Sequence, residues 1–251
     1  MITDPTFYLA AIPAVILVGL AKGGFAGIGT VSLPLMALAI DPVQAAAILL
    51  PIMMVQDVIS VGAYWKKWDR RNLVLLVPGA IVGILLGYLL ASRVSMAAFN
   101  VALGLIAAAF ALRYLLRPQM PPKQGGSLAG YFWGTVSGFT SMIAHSGAPP
   151  FQIYVMPQKL ERDTFVGTSN AFFGIVNWLK FPAFMALGEF TTENVTTTAV
   201  LLPLAIASTW AGVLLVRRVP AEPFYKFIYL LLTAVGLKLI WEGGTALLGA
   251  A

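Results

Sequence analysis

The sequence predicts an all-α polytopic membrane protein built from two homologous halves in inverted orientation. Each half holds a glycine- or proline-broken, or re-entrant, helix pair plus three full spans. Three observations predict this. The 251 residues are 59% hydrophobic and only 10% charged, and mean hydropathy is +0.85, outside the range of soluble domains. Long apolar segments follow one another with short polar connections. And the apolar sequence is interrupted by glycine or proline twice, once in each half: Gly19-Leu-Ala-Lys-Gly-Gly-Phe-Ala-Gly-Ile-Gly29, and Ser137-Gly-Phe-Thr-Ser-Met-Ile-Ala-His-Ser-Gly-Ala-Pro-Pro150.

Apolar segments run approximately over 7–21, 27–40, 43–64, 73–91, 96–116, 127–144, 148–157, 164–187, 196–216 and 224–241. At about 1.5 Å per residue, the segments 43–64, 73–91, 96–116, 164–187, 196–216 and 224–241 are long enough for about 30 Å of hydrocarbon. The pairs 7–21/27–40 and 127–144/148–157 are each too long for one straight span, and their halves are short. Each pair is either a tilted broken helix or a re-entrant hairpin. Charge favours hairpins. One side then holds Lys66, Lys67, Arg70, Arg71, Arg113, Arg117, Lys123, Lys159, Arg162, Arg217, Arg218 and Lys226. The other side keeps Arg93 and Lys238 with Asp4, Asp41, Glu189, Glu193 and Glu242, while Lys22 and Lys180 remain within the membrane. This obeys the positive-inside rule and puts both termini outside; an eight-span arrangement is the alternative. The expected organisation is a first repeat over 1–118, a cytoplasmic linker over 119–126 and a second repeat over 127–251.

The halves align at one constant offset: Pro78 meets Pro203, Gly87 meets Gly212, Arg93 meets Arg218 and Phe99 meets Phe224. With three full spans per half, an odd number, the halves must be inverted relative to each other, as in many transporters.

Composition also excludes. With no cysteine there is no disulfide, thiolate metal site or Cys nucleophile. The +6 net charge follows from positive-inside topology rather than from nucleic-acid binding. Asp4 stands where a signal peptide would be basic. Trp65, Trp68, Trp133 and Trp241 lie near span ends as an aromatic belt. Trp178 and Trp210 are deeper, as packing residues. No metal-ligand spacing or paired-carboxylate motif occurs, so no metal or cofactor is expected. Ser146 beside His145 lacks an orienting acid, so an enzyme is not expected either.

Broken helices at corresponding places in two halves point to a binding site, because freed backbone groups at membrane depth need protein or a cavity around them. Lys22 ends an apolar helix, and a lysine at that depth costs about 2.5–3.5 kcal/mol. Gly23 and Gly24 let a ligand approach closely, and a helix restarting near Gly27 would aim N–H groups at the break. A snorkelling lysine is the competing explanation. His145 and Ser146 precede Pro149 and Pro150, which suit the start of a short helix; a protonatable donor competes with a structural histidine. In 164–187, Asn170 and Asn177, and less closely Ser169 and Lys180, share a helix face. Asp57 is the only carboxylate inside an expected span. It is a coupling candidate with His145, or the ion-pair partner of Lys22 or Lys180. Aligned by half, Asp57 meets Asn177 and Ser60 meets Lys180.

The chain resembles the TauE/SafE family of sulfite and organosulfonate exporters. The matching stretches are Gly19 to Pro34, Pro51 to Asp57, His145 to Pro150, and Gly167-Thr-Ser-Asn-Ala-Phe-Phe-Gly-Ile-Val-Asn-Trp-Leu-Lys180. The second break departs from the pattern, since many relatives are richer in glycine there. The resemblance implies a secondary transporter, an exporter of a small anion (sulfite or a short organosulfonate), in the cytoplasmic membrane of a bacterium. Its partners would be the anion and the lipid bilayer, with protons and a second copy of the chain as further candidates. The expected substrate-binding set is Lys22, Gly23, Gly24, His145, Ser146, Ser169, Asn170, Asn177 and Lys180, with Asp57 and His145 for coupling. An anion channel and a membrane-embedded enzyme or assembly factor are the alternatives.

Overall fold

The structure, a computed structural model, describes residues 1–90, 96–116, 121–186, 188 and 190–249. These form ten α-helices, with no strand among the described residues: α1 Pro5–Gly23, α2 Ser32–Met36, α3 Pro42–Ala63, α4 Arg70–Leu90, α5 Met96–Leu116, α6 Ser127–Ala144, α7 Ala148–Val155, α8 Arg162–Ala186, α9 Thr192–Arg218 and α10 Ala221–Gly249. Starts follow local chemistry. Asp4 and Asp41 each precede a proline and cap their helix, accepting from Thr6 N at 2.9 Å and Val43 N at 2.8 Å. The carboxylate satisfies an orphan donor, and the proline has no N–H to leave unpaired. Arg93, Arg117, Glu189 and the side chain of Phe99, used in the charge and repeat alignments, lie outside the described residues.

Among the described residues, five helices are long and apolar enough to cross a membrane: α1, α3, α4, α9 and, in α10, Glu222–Leu248. This differs from the expected six at three helices, α1, α8 and α5. Helix α1 is itself a candidate span, 19 residues long, because its helix continues through Lys22 to Gly23. Helix α8 has 25 residues but is too polar to qualify, since it carries Asn170, Asn177 and Lys180. In α5 the described apolar stretch is Asn100–Leu116. The expected helix over 27–40 is reduced to a 3-10 turn, Ile28–Val31, and the five-residue α2.

Helices pair through close backbone approaches. In α4 and α6, glycines recur every four residues, and a Cβ on Gly83 would lie 2.0 Å from Thr135 O, one on Gly134 2.3 Å from Leu76 O. Likewise Gly23 abuts Gly212 of α9, and Gly104 of α5 abuts Gly236 of α10. Small residues at such positions let backbones pack where lipid provides no hydrophobic drive. The paired positions fix direction. Helices α1 and α9 run parallel, through Ile2–Thr197, Gly19–Ser208 and Gly23–Gly212. So do α4 and α6, through Gly79–Tyr131, Gly83–Thr135 and Gly87–Met142. Helices α5 and α10 are antiparallel, through Ala97–Gly243 and Gly104–Gly236. Helices α3 and α8 lie inside the bundle, α3 also packing on α9 and α8 on α4. Outward positions such as Val74, Val82, Leu85 and Leu89 of α4 are exposed and apolar, as a lipid-facing surface requires.

Basic residues gather at one end of the bundle. Arg71 donates to Gly125 O at 2.8 Å, Arg217 to Ala63 O at 2.9 Å, and Arg162 to Val219 O. At the opposite end Gln44 donates to Asn194 at 2.9 Å.

Candidate functional site

Both chain breaks come to one cavity. After Gly23 the chain leaves the helix through Gly24, φ 141°, and Gly27, φ 107°, backbone conformations that a side chain would strain. Gly24 N closes on Leu20 O and Ala21 O, and Phe25 N on Leu20 O. Tyr64, at the end of α3, donates to Gly23 O at 3.0 Å and anchors this turn. Helix α6 ends with His145 N bonded to Ser141 O and Ser146 N to Thr140 O. The left-handed residue at such a helix end is ordinarily glycine. Here it is His145, φ 49°, which with Lys66 and Lys159 is one of three non-glycine residues of positive φ among the described residues.

The cavity has a volume of about 70 Å³. A water needs roughly 10–15 Å³, so it holds several waters or one small solute. Polar lining comes from Lys22, Thr30, Ser141, His145, Ser169, Asn170, Asn177 and Lys180, facing Met53, Phe173 and small apolar residues. Thus α1, α3, α6, α7 and α8 all contribute. A larger cavity of about 520 Å³ lies among charged and tyrosine side chains of α5, α10 and the 159–161 turn, away from both breaks.

Two hydrogen-bonded groups organise the lining. In the first, Lys22 Nζ donates to Asp57 Oδ1, and Asn177 Nδ2 donates to Asp57 Oδ2 at 2.7 Å. Asp57 is thereby the partner of Lys22, and Lys22 also lies 5.6 Å from the Phe173 ring centroid. In the second, Lys180 Nζ meets Ser141 O and Ser141 Oγ, both at 3.1 Å, and His145 Nδ1 at 2.9 Å. His145 Nε2 faces Ala46 O at 3.3 Å, and its ring stacks on Phe184. Lys180 is wholly buried, yet among the described residues no carboxylate lies within ion-pair distance of it. Asn170 is 3% exposed, and its Nδ2 has no hydrogen-bond partner. Such an orphan donor costs about 1–3 kcal/mol unless water or a solute meets it.

Of the residues singled out in the sequence, Lys22, His145, Ser169, Asn170, Asn177 and Lys180 line the cavity, and Asp57 stands directly behind Lys22. Gly23 and Gly24 face α9 instead, at Gly212 and Val216, and Ser146 turns to Ala144 O at 3.1 Å. Pro149 and Pro150 lack N–H groups, so the start of α7 offers few donors. Phe151 N is already bonded to Gly147 O.

A family model described as Sulfite exporter TauE/SafE matches residues 11–239. The chain belongs to the TauE/SafE family. No curated protein and no solved structure matches it. The TauE/SafE assignment and the apolar helices together make this a multi-pass membrane protein of a transporter family. Within this family member, Ser141, Thr30 and Phe173 also line the cavity and were not in the set expected from the sequence. Ser141 carried a signal: it lies four residues before His145, one helical turn away on the same face.

Proposed function

We propose that the protein is a secondary transporter that exports a small oxyanion, sulfite or a short organosulfonate, across the cytoplasmic membrane of a bacterium. The observation that carries this is the cavity between the two chain breaks, where two buried lysines meet a single carboxylate and an unpartnered amide donor. Burying that excess of positive charge and donors is costly when the site is empty, and an oxyanion offsets it. Lys180, Lys22 and His145 would face the anion's charge, and Ser169, Asn170 and Asn177 its oxygens. If transport is proton-coupled, Asp57 and His145 are the groups placed to carry the proton.

The bundle's symmetry supports an inverted repeat, with residues 1–118 and 127–251 as its halves. Advancing each helix number by five turns the α4–α6 pair into α9–α1, returns α5–α10 and α3–α8 to themselves, and exchanges α3–α9 with α8–α4. It also reverses every helix direction. Gly87 and Gly212, aligned in sequence, both pack on a break-bearing helix, and the aligned Asp57 and Asn177 bond to each other. Rocking of two such halves about a fixed site gives alternating access. The inside-negative potential favours anion export by about 2.3 kcal/mol per charge per 100 mV.

Flux of labelled sulfite into proteoliposomes tests the proposal. A carrier saturates and is accelerated by sulfite on the far side. Lys180→Ala, which removes a charge-assisted contact of about 1.5–3 kcal/mol, cuts flux tenfold or more at equal protein incorporation. Unchanged flux in that variant removes Lys180 from the site, and flux that rises without saturation favours a channel.

A further inference from the structure

The charge enclosed by the cavity can be counted. The titratable side chains that face it are Lys22 of α1, Asp57 of α3 behind it, His145 at the end of α6 and Lys180 of α8; α2, α7 and the 24–31 turn contribute none. Asp57 receives one donor on each oxygen, so it is a carboxylate, and with the Lys22 ammonium it sums to zero. His145 directs Nε2 at a carbonyl and Nδ1 at Lys180 Nζ. Lys180 has three acceptors, one for each N–H of an ammonium. If the proton passes from Lys180 to Nδ1, the pair's total does not change. With Lys180 as the ammonium that these three contacts fit, the site carries one uncompensated positive charge.

We propose that the cavity selects a singly charged oxyanion, hydrogensulfite or an R–SO₃⁻ sulfonate, and rejects dianions. This rests on the anion-carrier reading above and deepens it. A monoanion leaves the occupied site neutral. A dianion leaves a net negative charge among buried groups, which is as unfavourable as the empty site. The apolar wall formed by Val18, Ala21, Ala26, Met53, Ala148 and Phe173 has no donors for further charged oxygens and suits the short organic end of a sulfonate.

Calorimetric titration of the purified full chain tests this with three probes: methanesulfonate, a monoanion throughout, sulfate, a dianion throughout, and sulfite, which loses its second proton near neutral pH. Methanesulfonate is expected to bind with an affinity that holds from mildly acidic to mildly alkaline pH. Sulfite affinity falls about tenfold per pH unit once the dianion dominates, and sulfate binds at least about tenfold more weakly than methanesulfonate. Asp57→Asn keeps the shape of the Lys22 contact but raises the site's charge by one. It is expected to improve sulfate relative to methanesulfonate by about tenfold or more. Sulfate binding as tightly as methanesulfonate, sulfite tightening with rising pH, or methanesulfonate weakening in parallel with sulfite each overturns the proposal. So does an Asp57→Asn protein that folds and keeps the original preference; if that variant does not fold, the three probes on the unmodified chain decide alone. If folded protein binds none of the three, the anion-carrier reading itself falls.

Discussion

At the scale of single residues, the site depends on keeping each buried charge in company. Lys22 and Asp57 are buried together, and removing one partner strands the other. Asp57→Ala is expected to destabilise the protein by about 3–5 kcal/mol, visible as a lower unfolding temperature in detergent; an unchanged midpoint would mean that Lys22 reaches water. Tyr64→Phe takes the donor from Gly23 O and leaves a buried carbonyl unpaired, at about 1–3 kcal/mol. Its signature is faster proteolysis or exchange at the Gly23–Gly27 turn, whereas protection there equal to the unmodified chain contradicts the anchoring role. These residues were conspicuous in the sequence, because a lysine, an aspartate or an asparagine stands out in lipid-grade surroundings. Which of them meet was not legible. Lys22 and Lys180 were equal candidates for Asp57 until α1 and α3 were placed side by side. The Lys180–Ser141–His145 group spans two helices whose register no single segment encodes.

At the scale of elements, helix positions followed from hydropathy, and the segment starts fall close to the helix starts of the structure. Two features escaped. The stretch after Gly27 is short and irregular, since Gly27, Gly29 and Pro34 oppose a continuous helix more strongly than its apolar side chains favour one. And Gly23 and Gly24, which read as ligand-approach glycines, lie against α9, because helix–helix contact and ligand contact make the same demand for a missing side chain. The interlocking glycines of α4 and α6 yield a matched prediction. Gly83→Ala drives a Cβ to 2.0 Å from Thr135 O and is expected to lower the yield of folded protein sharply. Gly62→Ala, in α3 with nothing within 4 Å, is expected to be neutral or to stabilise by about 0.5–1 kcal/mol. Equal behaviour of the two in size-exclusion profiles and thermal unfolding would contradict the packing account.

At the scale of the whole molecule, the proposed design is two oppositely oriented halves that each bring a chain break to a shared cavity, with the basic residues at one end facing the cytoplasm. The absence of cysteine makes sidedness directly testable. A single cysteine at Gln124 is expected to react with impermeant maleimide only from the cytoplasmic face, and one at Thr192 only from the opposite face; labelling of both from one face contradicts the topology. The most direct test of the central claim, that the cavity between the breaks holds a small oxyanion through Lys180, is thermal unfolding of the purified protein with methanesulfonate or sulfite. A hundredfold excess over Kd is expected to stabilise the protein by about 2.7 kcal/mol, and Lys180→Gln to abolish that shift while remaining folded. Absence of any shift in folded protein, or an equal shift in Lys180→Gln, would contradict the claim.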